Sequence, residues 1–445
     1  MVIIAAPTAV PIRPTPSAAG TRGRDGGIDL VRALCVVAVV VLHALMVGVS
    51  VTGGTAVFDD ASAGTWWVVP MSWALQVMPL FFVIGGFSGH RAHTAARLRG
   101  GGDAAFVSAR VQRLLRPAVV VIGAVGAALL LLPLAGVPAD LVAVAGYRYG
   151  QPLWFLAVFL LCQALLPWMI SLHRRRPVVI LLALVSTAVL VDVARDATGI
   201  TALGFLNLAF VWLALQQVGF FLADGRIDAL SRRLRIGAGI GAVVLLLGSF
   251  ASGFHSPDLI ANINPPTTAL LLVGAAQTAA LSLKRDALER ASRRPGVAAL
   301  TAFITPRTMT IYLWHMPVLL AMAGVTALAA LVGGLPLPAV GGPEWGAQRP
   351  LWLAVAVTLT ALLAVPLSRV EARRGAAPSD SPRRTTLAVL SGLCGVVLLL
   401  VVGTGAVSAL VSLLLLGGAL LLARGPHRSA APAQGRSDAS VVSAA

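Results

Sequence analysis

The sequence predicts an all-α fold, a polytopic transmembrane helix bundle, on three observations. Of the 445 residues, 58% are hydrophobic and only 11% are charged, whereas a soluble domain carries about a quarter charged residues. Twelve apolar segments recur along the chain, most of them near the roughly 20 residues that cross a bilayer as helix. All but three of the 34 Lys and Arg fall on one side of those segments. The net charge of +17 is then a topology signal, helped by anionic lipid, and no nucleic-acid footprint.

The segments run over 28–50, 66–87, 117–134, 153–172, 178–193, 201–222, 236–254, 267–283, 308–332 and 351–367. A final pair, 387–402 and 406–423, reads as a hairpin turning at Gly403, Thr404 and Gly405, with one long tilted helix as the alternative. The side that is poor in basic residues keeps only Arg148, Arg195 and Arg349. The positive-inside rule therefore predicts a multi-pass protein with both termini and every basic loop in the cytoplasm. Pro7, Pro11 and Pro14 break the apolar start too early for a secretory signal. Residues 1–24 and 425–445 read as flexible cytoplasmic tails, 25–370 as a ten-span core, and 371–424 as a cytoplasmic loop with a two-helix hairpin. No inter-span segment is long enough to bury a core of its own, so chemistry is expected in the membrane or at its surface. Cys35, Cys162 and Cys394 all lie in apolar runs and give no disulfide scaffold. One lysine (Lys284) among so many arginines, with abundant Ala and Gly, suggests a GC-rich bacterial genome and hence the bacterial plasma membrane.

Ionisable side chains inside apolar helices are the functional candidates, because each costs about 2.5–3.5 kcal/mol to insert. In IDLVRALCVVAVVVLHALMVGV, Asp29 and Arg32 are one turn apart, close enough for an ion pair. His43 follows Arg32 by eleven residues, which brings a helix back to within about 20° after a rise of about 16 Å. Arg32 and His43 therefore share a face, one near the basic end and one well inside the bilayer. Taken singly, Arg32 also fits a topological anchor and His43 a packed histidine. In TMTIYLWHMPVLL, Tyr312 and His315 are helix neighbours beside Pro317, which also fits an aromatic belt at the interface with a proline kink. Arg110, Arg113 and Arg116 recur every three residues in FVSARVQRLLRP, ahead of a span entered at Pro117. Such a group suits phosphates, and equally lipid headgroups. Trp154 opens its span at the outer interface. Walker loops, HExxH helices and paired catalytic carboxylates are missing from the sequence, and no metal is expected.

Taken in order, these motifs resemble the acyltransferase 3 family of integral membrane acyltransferases, which modify cell-surface glycans, lipids and secondary metabolites. IDLVRALCVVAVVVLH is similar to the family's opening pattern of Asp, Leu-x-Arg and a histidine after ten further residues. PLFFVIGGF at 79–87 resembles PLFFvlSGF, with Gly85 in place of the usual Ser. FVSARVQRLLRP, LWFL at 153–156 and IYLWHMP at 311–317 match later landmarks. The resemblance covers roughly residues 24–370 and leaves the last two spans outside. It implies a cytoplasmic acyl-CoA donor, acetyl-CoA or a longer acyl-CoA, and an acceptor hydroxyl on a glycan, lipid or small molecule. Arg110, Arg113 and Arg116 would hold the donor's phosphates, with Arg32 at the mouth of the pantetheine path. His43 would act as general base or transient acyl carrier. Asp29, Tyr312, His315 and Trp154 would support them. The alternative is a transporter or flippase without acyl transfer, although the halves show no internal repeat and no matching pair of broken helices. A membrane scaffold without turnover is a further rival.

Overall fold

The computed structural model describes residues 25–373 and 375–425. The tails expected at 1–24 and, beyond Gly425, at 425–445 lie outside the described residues. Helix α1 (Gly26–Met46) leads into two antiparallel strands, β1 (Val47–Thr52) and β2 (Thr55–Asp60), with Val47 opposite Asp60 and Thr52 opposite Thr55. Helices α2 (Val68–Leu75), α3 (Met78–Leu98), α4 (Asp103–Leu134) and α5 (Ala139–Gly150) follow. Next come α6 (Leu153–Arg175), α7 (Pro177–Thr198), α8 (Asn207–Ala223), α9 (Arg232–Ala251) and the short α10 (Ala269–Leu283). Two connecting helices, α11 (Arg285–Ser292) and α12 (Pro295–Ile304), precede α13 (Thr308–Gly333) and α14 (Pro343–Ala372). The described chain ends in the antiparallel pair α15 (Pro382–Val401) and α16 (Ala406–Leu422). Among the described residues, ten helical stretches are long and apolar enough to cross a membrane, and α10 and α16 are shorter apolar helices. Together they account for the twelve predicted segments.

Three segments are built differently from the sequence expectation. The first helix stops at Met46, four residues early, because Val47, Val49 and Val51 alternate into a strand whose turn is Gly53-Gly54, both at positive φ. A two-residue hairpin turn of this kind needs φ > 0 at both positions, which glycine supplies without strain. The second segment is broken between α2 and α3, since Pro79 has no N–H to give and restricts the residue before it. Gln277 on α10 repairs the break: its amide nitrogen donates to the Gln76 carbonyl (2.6 Å) and its amide oxygen accepts from Leu80 N (3.1 Å). Backbone polar groups left unpaired inside a bilayer would cost several kcal/mol each, so a glutamine on the neighbouring helix is the expected partner. The third difference is α4, which runs unbroken through Pro117 and absorbs the basic segment expected to lie separately at the interface.

The final pair is two helices, turned at Gly403 with φ +86°, and it packs on α4 and α6. Small residues allow this: a Cβ on Gly126 would stand 2.7 Å from that of Ala409, and one on Gly392 2.8 Å from Leu115. The outward faces of α7, α9 and α14 carry Leu182, Leu190, Leu245 and Leu362 exposed, as a lipid-facing surface requires. At the basic end, Arg285 bonds Asp25 and Asp228, both at 2.6 Å, and so ties the start of α1 to α11. Burial works against the Arg285 charge, but these two carboxylates outweigh it and raise its pKa above the ordinary value.

The tightest crossing is between α3 and α8. A Cβ on Gly86 would fall on the carbonyl of Gln216, and one on Gly219 on the carbonyl of Val83. Gly85 is different, since its Cβ would meet only the Phe159 ring, at 3.3 Å. Gly86 and Gly219, rather than Gly85, therefore carry the close approach. Gly86→Val is expected to lower the melting temperature more than an ordinary overpacking substitution costing about 1–3 kcal/mol. Gly85→Ser should be tolerated, and thermal unfolding of both variants in detergent checks the contrast.

Candidate active site

Helix α1 carries the site. Its N-cap Asp25 accepts from Ile28 N, and Asp29 sits in the first turn, both suited to the positive end of a helix. One turn further, Arg32 donates to Asp29 Oδ1 (2.7 Å) and to Ser88 Oγ on α3. These contacts aim the guanidinium into a cleft of about 590 Å³ at the basic end of the bundle. Arg91, Arg110 and Arg113 line the same cleft, as do Gly85, Phe159, Gln163 and Glu371. Arg91 lies over Phe87 (5.4 Å) and Arg110 over Phe106 (4.9 Å), so each guanidinium plane is held by an aromatic face. Among the described residues, Arg91, Arg110 and Arg113 form no ion pair. The cleft's acids are Asp25, held by Arg285, Asp29, held by Arg32, and Glu371; three further cations, none of them ion-paired, make it a site for a multiply charged anion.

Arg116 lies outside this cleft. It donates to the Arg373 carbonyl (3.1 Å) and to Gln112 Oε1, while Gln112 in turn donates to the Ala423 carbonyl (2.8 Å). The reason is helical geometry: six residues place Arg116 about 120° round from Arg110. It is a clasp that holds the segment before α15 and the end of α16 against α4.

Eleven residues along α1, His43 lines a second cavity of about 430 Å³ that opens at the hairpin end. His43 Nδ1 is 2.8 Å from the Val39 carbonyl. A carbonyl can only accept, so Nδ1 carries the proton and Nε2 holds the lone pair in the neutral ring. The His315 ring lies 4.9 Å away, fully buried, with its Nδ1–H donated to the Tyr312 carbonyl. Among the described residues, its Nε2 has no hydrogen-bond partner. Tyr312 points its ring into the cavity and its hydroxyl to the Pro152 carbonyl. Trp154 is also a cavity wall, stacked on Trp212 at 5.5 Å. Asp60, at the end of β2, reaches the cavity while its Oδ1 accepts from Ser62 N (2.9 Å) and Oγ (2.6 Å).

The structure thus gathers Asp29, Arg32, Arg110 and Arg113 on one side, and His43, Trp154, Tyr312 and His315 on the other. Phe81, Thr308 and Met309 line both cavities and stand between them. Sequence reasoning missed Ser88, Arg91 and Glu371. Glu371 accepts from Thr310 N (3.2 Å) and Oγ1 (2.9 Å), leaving Oε1 without a partner at the cleft. Its signal was a lone acid among Arg369, Arg373 and Arg374 at the end of a span. Ser88 gave no signal, because its bond to Arg32 joins two helices.

A helix bundle whose first helix serves an arginine-lined cleft with one residue and a histidine-bearing cavity with another defines a multi-pass membrane protein built around a polar, buried site. A family model described as an acyltransferase domain matches residues 25–369. The chain belongs to that family, the acyltransferase 3 family. No curated protein and no solved structure matches it.

Arg116→Ala is expected to lower the melting temperature by loosening the clasp. Arg113→Ala, which removes one of several like charges from the cleft, should leave it unchanged or raise it. A melting series of the two variants in one detergent checks the opposite signs.

Proposed function

We propose that this acyltransferase moves an acyl group, acetyl or a near relative, from cytoplasmic acyl-CoA to a hydroxyl of a glycan, lipid or secondary metabolite. One observation carries the reading: α1 brings Arg32 into the cleft of unpaired arginines and His43 into the cavity across a thin wall. Arg91, Arg110 and Arg113 suit the phosphates of CoA through charge-assisted, bidentate contacts. Arg32, held by Asp29 and Ser88, stands where the pantetheine arm enters. The rise of about 16 Å from Arg32 to His43 is the distance that the arm, coming from the cleft, and the acceptor hydroxyl, held at His43, bridge between them.

The acceptor reaches His43 from the hairpin end. Nε2 takes the hydroxyl proton as the acceptor oxygen attacks the thioester carbonyl carbon. The C–S bond breaks, CoA leaves as thiolate, and the thiolate takes up a proton. In the two-step variant, Nε2 attacks the thioester carbonyl carbon and CoA leaves as thiolate; the acceptor oxygen then attacks the acyl-imidazole carbonyl, the C–N bond breaks to free the imidazole, and the acceptor's proton passes to the thiolate. His315 packs against the His43 ring and orients it, and Tyr312 and Trp154 wall the acceptor's approach. The distribution of Lys and Arg supports placing the arginine cleft at the cytoplasmic face of a bacterial plasma membrane, with both termini inside.

Acetyl-CoA is expected to stabilise the purified protein in a thermal shift, by about 2.7 kcal/mol at a hundred times its Kd. Arg113→Ala should weaken that binding about tenfold or more, the value of a charged hydrogen bond. His43→Ala should keep the binding and lose acyl transfer. A folded protein that shows no shift with acetyl-CoA or longer acyl-CoAs would overturn the reading in favour of a transporter.

A further inference from the structure

The cleft and the cavity are two spaces rather than one. Phe81 on α3, with Thr308 and Met309 in the first turn of α13, lines both of them. The Phe81 ring is fixed edge-on between Phe155 (5.2 Å) and Phe159 (5.8 Å). Met309 is buried and unbranched, the kind of side chain that yields and refills most readily. Beyond the wall the His43 cavity has an apolar side, formed by Val36, Val39, Leu42, Met78, Phe155 and Met316, opposite its polar residues such as Asp60 and Asn264. A short acyl thioester presented from the cleft needs only its carbonyl carbon to reach the wall. A longer chain has to pass Phe81 and Met309 and continue into that apolar space.

We propose that Phe81 and Met309 are the residues that set acyl-chain length in this enzyme, admitting a short acyl group and stopping a longer one. The proposal rests on the donor-cleft reading above. Each methylene that gains apolar burial strengthens binding about fourfold. With the wall in place, the four added methylenes of hexanoyl-CoA gain none of this. Cutting the wall back lets them through.

The test is titration calorimetry of the full chain in detergent with acetyl-CoA and hexanoyl-CoA, for the wild type, Met309→Ala and Phe81→Leu. The readout is the ratio of the two dissociation constants. The wild type is expected to bind hexanoyl-CoA no more tightly than acetyl-CoA, and each variant to shift the ratio at least tenfold toward hexanoyl-CoA. Met309→Val, which shortens the side chain but keeps it apolar, stands in should either variant fail to fold. Variants that bind acetyl-CoA with an unchanged ratio would overturn the wall's role and leave the donor reading intact. So would a wild type that already gains affinity with each methylene. A wild type that binds neither thioester would overturn both.

Discussion

Where α3 crosses α8, a Cβ on Gly86 would sit on the Gln216 carbonyl and one on Gly219 on the Val83 carbonyl, so the two backbones touch. In hydrocarbon there is no water to expel between apolar helices, and small residues at such a crossing supply close packing in its place. This contact fixes α3, and α3 presents Phe81, Gly85, Ser88 and Arg91 to the site within less than three turns. The upper end of the same helix begins at the Gln76–Met78 break, whose backbone is held by Gln277. Position and register of the site's middle layer therefore follow from two glycines and one glutamine, none of which faces the cleft.

Charge in the cleft is sorted by role. Arg32 is held by Asp29 and Ser88, and Arg285 by Asp25 and Asp228, so these two cations are committed to fixing α1. Arg116 is committed to the clasp on the C-terminal pair. Arg91 and Arg110 lie over aromatic faces, and Arg113 stands with them in the cleft; among the described residues none of the three is ion-paired. Like charges held together in a folded protein cost stability until a ligand neutralises them, which is the ordinary signature of a binding site rather than a structural one.

Much of this was legible along single helices. The eleven-residue step from Arg32 to His43 and the Tyr312–His315 pair depend on the helical repeat alone, and the structure keeps both. Gly53-Gly54 between alternating valines announced the small hairpin, although the apolar run concealed it. Arg116 was misjudged because a spacing of three drifts round a helix instead of holding one face. Trp154, expected as a supporting residue, lines the His43 cavity, but its stacking on Trp212 had no signal, because that contact joins two helices. Ser88 and Arg91 depend on how α1 meets α3, and one sequence carries no record of which helices meet.

The thin layer between the two cavities has a consequence for the cell as well as for the substrate. Cavities that enter a bilayer from opposite ends would, if joined, form a column of water along which protons run down the membrane potential. Phe81 and Met309 interrupt that column with apolar side chains, and a narrow apolar neck sheds water even where a polar one would hold it.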